Sequence, residues 1–419
     1  MLSDAKTICL KAIEECLPDK AVKKALSAFP YENVYLVAAG KAAFAMAKAA
    51  SETVKIKKGI IITKYGHAKG RIENIKIYEA GHPLLDENGV NATEEVIRMC
   101  SDRSEDDTVL FLLSGGASSL FEKPLISLEE LKNINDQMLK KGLNITEINT
   151  IRKKLSAVKG GRFADICYPA KVFGIILSDV LGDKLDVIGS GPSVKDESSG
   201  KDALKIIDDY EIEISEETRS IINSSKMADA GNAENTIIGS VRLLCENGAE
   251  EARKLGYKPL IITDHIDIEA TKAGDLLFEE AGKHLDDKEN VVLIMGGETI
   301  VHVKGHGLGG RNQELVFSQI RKIAGIDNLL LMSVGSDGTD GPTDAAGGYV
   351  DGSSYHKLTE KGLDYEKILA DNDSYHGLKA IEGLIISGPT GIGKDSDAGR
   401  AWGQEEKGTT EDEMAGWHH

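Results

Sequence analysis

The sequence has no CxxC pair, and its five cysteines, Cys9, Cys16, Cys100, Cys167 and Cys245, are an odd number. Neither a zinc site nor a complete disulfide framework is expected from them. Cys9 and Cys16 lie seven apart in an amphipathic first helix and read as buried thiols on one face. No uninterrupted apolar stretch is long enough to span a bilayer, and Asp4, Glu14 and Glu15 interrupt what would have to be a signal core. The expectation is a cytoplasmic protein with no membrane partner. Basic charge is also in deficit: the formal net charge of -18 creates a field that repels nucleic acid and anionic membrane. A bound anion therefore needs cations supplied locally. No low-complexity tract and no repeat at solenoid period is present.

At 419 residues the chain is too long for one ordinary core, which suggests two domains of unequal size. Its first half alternates helical and strand-like segments: strands ending at Ala39, Thr63, Glu79, Leu113 and Leu177 stand between helical patterns. That rhythm predicts an α/β open sheet with crossover helices. A second series starts near Thr236, so the boundary is expected at about Gly231, giving domains over 1–230 and 231–391. Residues 392–419 hold both tryptophans, Trp402 and Trp417, without apolar periodicity, and read as a disordered or non-native tail.

Short apolar runs that end in small, charged or hydrogen-bonding residues carry the chemistry, because ligands of parallel sheets bind outside the carboxyl ends of strands. Val37-Ala38-Ala39 runs into Gly40-Lys41, where a helix start favours anions and the ammonium adds a point charge. The bland alternative is a solvated lysine. Thr108 to Leu113 runs into Ser114-Gly115-Gly116-Ala117-Ser118-Ser119, whose amides and hydroxyls suit an anion nest; a plain turn of small residues is the alternative. Val291 to Met295 ends at Gly296-Gly297-Glu298, and Val172 to Leu177 ends at Ser178-Asp179.

Gly305-His306-Gly307-Leu308-Gly309-Gly310 is a literal GxGxxG, with an expected strand over Ile300 to Val303 before it and a helix after it. Arg311 and Glu314 at that helix start count against a dinucleotide fingerprint, and the safer reading is a glycine loop presenting Arg311 to an anion. Asp337, Asp340 and Asp344 share one Gly-rich loop after a buried strand; an EF-hand pattern fails at Thr339, whereas Mg²⁺, which takes one or two carboxylates plus phosphate oxygens, suits it. Gly388 to Lys394 matches a Walker A pattern until Asp395 stands where Ser or Thr must bind magnesium, and it is rejected as a nucleotide site.

In this order the motifs Ala38-Ala39-Gly40-Lys41-Ala42, Ala80-Gly81-His82-Pro83, Leu113 to Ser119, Leu177 to Asp183, Gly189-Ser190-Gly191-Pro192, Gly307 to Glu314 and Gly335 to Ala346 resemble the glycerate 2-kinase family, which has a C-terminal MOFRL domain. The resemblance spans about residues 5 to 391. It implies a larger Rossmann-like N-terminal α/β domain, a smaller C-terminal α/β domain and an active site in the cleft between them. It also implies transfer of the ATP γ-phosphoryl group to D-glycerate, giving 2-phosphoglycerate. Carried over by position, Lys41 and Arg311 are the catalytic cations, with Asp179 and the Asp337 loop as the acidic groups. Family members continue from Gly388-Pro389-Thr390-Gly391 into Thr-Asn-Val-x-Asp, whereas this chain runs into Ile392-Gly393-Lys394-Asp395, as a frame change or cloning-derived tail would.

The expected site then consists of catalytic Lys41, Arg311 and Asp179; Gly40, Ser114, Gly115, Gly116, Ala117, Ser118, Gly309, Gly310 and Glu298 around substrate and phosphate; and Asp337 with Asp340 as metal candidates. The ligands expected are ATP, Mg²⁺ and D-glycerate, with no nucleic-acid partner, in a monomer or homodimer. Two rival readings stay open at this point. The GxGxxG motivates an NAD(P)H-dependent hydroxypyruvate reductase, and a non-catalytic nucleotide or sugar-acid sensor is the alternative of another class.

Overall fold

The computed structural model describes residues 1–27 and 32–388, so the tail over 392–419 and residues 389–394 of the Walker-like string lie outside the described residues. The chain forms two compact units, one of Thr7–His265 with Ile294–Gly297, the other of Met1–Lys6, Ile266–Leu293 and the described residues from Glu298 onward.

In the first unit, β1 (Val34–Ala39), β2 (Ile56–Lys64), β3 (Ile75–Ala80), β4 (Thr108–Leu113), β5 (Lys171–Leu177) and β6 (Ala233–Gly239) form one sheet. Its order is β3-β2-β1-β4-β5-β6, and every neighbouring pair is parallel. The strands are apolar without alternation because both faces are covered. Val37, Ala39, Phe111 and Leu113 pack on one side with Val96 and Phe163, and Leu36, Ala38, Leu110 and Leu112 pack on the other with Met46, Ala47 and Ala50. Alanines dominate the Ala43–Ser51 helix, which lets its axis lie close to the sheet.

Strand order reverses between β1 and β4, the switch point outside which open α/β sheets bind their ligands. The open-sheet α/β expectation holds here. The boundary expected at Gly231 falls before β6, which pairs with β5 through Ile175↔Thr236 and so completes the larger sheet. The division of the units comes after His265 instead. The Thr236-Ile237-Ile238 run looked like the start of a second sheet because edge and first strands share the same apolar composition.

β7 (Lys258–Ile266) and β8 (Val291–Gly297) form a two-stranded sheet. In the second unit, β9 (Leu330–Val334), β10 (Gly347–Asp351) and β11 (Leu384–Ile385) form an antiparallel sheet in the order β11-β10-β9. The Arg311–Phe317 helix packs on β9 and β10, with Val316 against Gly348. The strand expected over Ile300 to Val303 is absent: Ile300 makes a single bridge to Glu269, and Val303 is 73% exposed. Among the described residues no helix is long and apolar enough to cross a membrane.

At the switch point Gly40 has φ +122, and a Cβ there would lie 2.5 Å from the Ser114 carbonyl oxygen. Gly40→Ala should therefore cost about 1–3 kcal/mol of folding stability, through strain and displacement of the β4 loop. Urea unfolding checks this, and a variant as stable as the parent would refute the crowding.

Candidate active site

Two clusters of expected site residues occur, one in each unit. The first is built where β1 and β4 stop. The chain leaving β1 is clamped by hydrogen bonds: Gly40 N–H donates to Ile62 O at 3.1 Å, and Thr63 Oγ1 donates to Gly40 O at 3.0 Å. Lys41 N–H donates to Gly115 O at 2.9 Å, and Ala42 N–H donates to Ser114 Oγ at 3.1 Å. His67 Nδ1 lies 3.2 Å from Lys41 O. Lys41 thus stands on a turn after β1 whose backbone is tied to the ends of β2 and β4.

Ser114, expected to offer its hydroxyl to an anion, is instead 1% exposed and takes up the Ala42 amide. Ala117 N–H is likewise turned inward, to Ser114 O at 3.3 Å. Both were read as ligand contacts because a strand-end nest and a loop-to-loop clasp use the same small residues. Gly116 has φ +84 and is the N-cap of the Ala117–Leu120 helix.

Asp179, beyond the end of β5, lies against Gly115, with its carboxyl carbon 2.9 Å from the place a Cβ would occupy. His82, beyond the end of β3, lies against Gly116: Nε2 is 2.9 Å, and Lys41 Cγ 3.3 Å, from the corresponding Cβ position. The Gly115–Gly116 pair is therefore bracketed by Lys41, Asp179 and His82, and side chains on either glycine would drive them apart. His82 was noted within a motif but not expected at the site. Its position directly after a strand was the signal available for it.

A second residue that sequence reasoning missed is Lys159, which is fully buried. Its ammonium donates to Ser118 O at 2.9 Å and Phe121 O at 3.1 Å, and it lies 3.2 Å from Glu122. Burial pushes the Lys159 pKa down, and Glu122 opposes that shift. The last carbonyls of the short helix after the glycine pair are thus satisfied by a fixed cation. Phe111, Phe121 and Phe163 pack beside it with ring centroids 4.8–5.5 Å apart.

The second cluster surrounds the N-terminus of the Arg311–Phe317 helix. Arg311 forms an ion pair with Glu298, with side chains 43% and 60% exposed. A pair so open to water stabilises little, so an incoming anion can displace Glu298 at small cost. Glu298 is placed as the partner of Arg311.

Asp340 is 3% exposed, and its carboxylate accepts four N–H donors. These are Asn312 N and Nδ2 on one oxygen, at 3.1 and 3.0 Å, and Gln313 N and Nε2 on the other, at 2.9 and 3.1 Å. Burial pushes the Asp340 carboxyl up, against the pull of these donors. Its lone pairs are committed to the helix start, which corrects its expected place beside Asp337 as a metal ligand. Asp337 makes one local bond, with Thr339 N–H donating to Oδ1 at 3.1 Å. Among the described residues no group of three or more His, Cys, Asp or Glu side chains could hold a metal by themselves. A single carboxylate such as Asp337 fits Mg²⁺ only where phosphate oxygens complete the shell.

The GxGxxG loop is used in another way than its pattern suggests. His306 N–H donates to Asp371 Oδ1, Gly307 N–H to Asp371 O and Leu308 N–H to Asp373 Oδ1, each at 2.8 Å. Lys304 and Gly305 amides donate to Asn372 Oδ1 at 2.7 and 3.1 Å. A Cβ at Gly307 would lie 2.6 Å from Asp371 O, and one at Gly309 3.1 Å from Asn372 O. The glycines admit a neighbouring acidic segment, and the amides a pyrophosphate would need are already taken.

Two family models match the chain. The family model described as "Domain of unknown function (DUF4147)" matches residues 4–223, and that of the MOFRL family matches residues 291–393. The D-glycerate 2-kinase of Thermotoga maritima is 50% identical over 92% of this chain and 94% of its own. The glycerate 2-kinase of Pyrococcus horikoshii is 42% identical over 87% and 86%. Relatives from Agrobacterium vitis that carry hydroxypyruvate reductase names stand lower, at 35%. The crystal structure of glycerate kinase from Thermotoga maritima matches with a TM-score of 0.89 at 48% identity, covering 93% of this chain and 96% of that one.

Glu314, one turn after Arg311, supplies a test by pH. Burial pushes its carboxyl above 4.5, with Asn372 Nδ2 donating at 2.9 Å in opposition and Glu269 and Asp340 adding repulsion. A raised folded pKa means the native state holds this proton more tightly, so the contribution is lost as pH rises from about 4.5 through the raised value. Glu314→Gln keeps an acceptor for Asn372 and removes the buried charge. Its stability relative to the parent should increase between about pH 4.5 and neutrality, and a constant difference in urea midpoints across that range would refute the assignment.

Proposed function

The chain belongs to the glycerate 2-kinase family, and on that premise we propose that it transfers the γ-phosphoryl group of ATP to D-glycerate, giving 2-phosphoglycerate and ADP. The observation that carries this reading is the bracketing of Gly115–Gly116 by Lys41 and Asp179 at the sheet's switch point. Phosphoryl transfer asks for positioning and for charge stabilisation on peripheral oxygens rather than for covalent chemistry. Lys41 supplies a cation on a clamped turn, and the lack of side chains on Gly115 and Gly116 lets the functional groups of Lys41 and Asp179 close on the same loop, where phosphate oxygens are received. Arg311, which an arriving anion can draw away from Glu298, is the catalytic cation of the second cluster.

Asp179 orients the hydroxyl of glycerate and accepts its proton as the new O–P bond forms and the bond from the γ-phosphorus to the ADP oxygen breaks. Asp337 would hold Mg²⁺ together with phosphate oxygens; the ion, when bound, neutralises charge on those oxygens. Gly309 and Gly310 let the chain pass Asn372 and Asp340 and so aim Arg311. A reductase reading loses its motive, since the GxGxxG amides bond Asp371, Asn372 and Asp373. A cytoplasmic setting suits an ATP-dependent kinase of this family.

Incubation with Mg-ATP and D-glycerate should yield ADP and a product that enolase alone consumes; NADH oxidation with hydroxypyruvate and no phosphoglycerate would sink the proposal. Lys41→Ala should lose ~100-fold or more in kcat/KM with an unchanged thermal transition. Arg311→Lys should also be impaired, because lysine lacks the planar fork that grips a phosphoryl group, and full activity would demote it. Asp337→Asn should raise the Mg²⁺ concentration needed for half-maximal rate, which a metal titration reads directly.

A further inference from the structure

We propose that His82 is a further catalytic residue of this site, its imidazole donating a hydrogen bond to the oxyanion received by Lys41 and the Gly115–Gly116 loop. The inference rests on the kinase reading and deepens it. Its basis is contact geometry: the Nε2–Cδ2 edge of His82 and the Cγ of Lys41 both crowd the point where a Cβ on Gly116 would stand, at 2.8–3.3 Å. Ring and lysine therefore close on the same glycine, beside the helix that Lys159 holds from beneath.

The support for the ring is rigid. Gly81 N–H donates to Asp86 Oδ2 at 2.9 Å, and Asp86 Oδ1 accepts Gly89 N–H at 3.0 Å as N-cap of the Glu87–Cys100 helix. Tyr65 OH donates to the same Asp86 Oδ2 at 2.7 Å. The residue preceding His82 is thus tied to a helix start and to the chain after β2, so the imidazole is carried on a fixed turn, as a transition-state donor must be. An imidazole offers a ring N–H donor in its neutral as well as its protonated form, and here the ring stands, with the Lys41 side chain, against a run of small-residue backbone. An oxyanion is the ligand chemistry that uses all three. It has two sources in the proposed reaction, the carboxylate of glycerate and the terminal phosphate of ATP.

The test compares His82→Ala with His82→Gln in steady-state assays in which each substrate is varied in turn, with thermal transitions recorded alongside. His82→Ala should lose ~10-fold or more in kcat/KM, and His82→Gln, which restores a donor near the Nε2 position, should recover part of it. A rise in KM for glycerate at preserved kcat identifies the carboxylate; a fall in kcat at preserved KM identifies the phosphoryl oxygens. Activity of His82→Ala within about twofold of the parent, or His82→Gln no better than His82→Ala, overturns the proposal. If the unaltered protein forms no phosphoglycerate, the kinase reading fails by itself. The histidine is then judged by its imidazole NMR signal on addition of inorganic phosphate, which should shift and, if unmoved, overturns this inference too.

Discussion

The close approach of the chain at Gly40 to the chain at Ser114 is the constraint from which the rest of the first cluster follows. β1 and β4 are parallel neighbours whose last residues, Ala39 and Leu113, are in register, so both loops leave the sheet side by side. Side chains at both positions would force the loops apart. With Gly40 bare, the Ser114 hydroxyl reaches the Ala42 amide, an N–H at the helix start that would otherwise lack a partner, and Lys41 N–H reaches Gly115 O. The lysine and the glycine pair are consequently one rigid piece. A loosened contact here would misplace the lysine and the glycine pair together, which is the kind of small displacement that phosphoryl transfer tolerates poorly.

Beneath that piece the protein keeps a cation where no ligand reaches. Lys159 is buried with Glu122, and its remaining donors go to the carbonyls of Ser118 and Phe121. Such a pair adds little to stability compared with an apolar replacement, because both charges lose their water. What it contributes is direction, since the ammonium ties the carbonyls of Ser118 and Phe121 at the end of the short helix after Gly116. The same logic places Asp340 under the start of the Arg311–Phe317 helix, where a buried carboxylate gathers four donors.

The parts of this molecule legible in the sequence were those governed by local pattern. The apolar runs over β1, β4 and β5 end within a residue of where their composition changes, and Lys41, Gly115, Gly116 and Asp179 emerge together because parallel strands deliver their carboxyl ends to one edge. What could not be read depends on partners distant in the chain. Ser114 looks the same whether its hydroxyl faces a ligand or another loop, and Lys159 has no local mark of burial. Ile300 to Val303 has strand composition, yet its continuation is satisfied by side chains near residue 372, so no ladder forms. β10, which carries Gly347 and Gly348, was passed over because glycine is depleted in strands.

The GxGxxG loop also has a kinetic consequence. Its amides at 304–308 are held by Asp371, Asn372 and Asp373, just before the Ser374–Ala380 helix, and Tyr375 N–H returns a bond to Leu308 O at 2.9 Å. Hydrogen exchange along this stretch is therefore gated by undocking of the acidic segment from the loop. In deuterium-labelling experiments the loop serves as an internal clock for opening of that part of the chain, and its protection is set before any nucleotide is added.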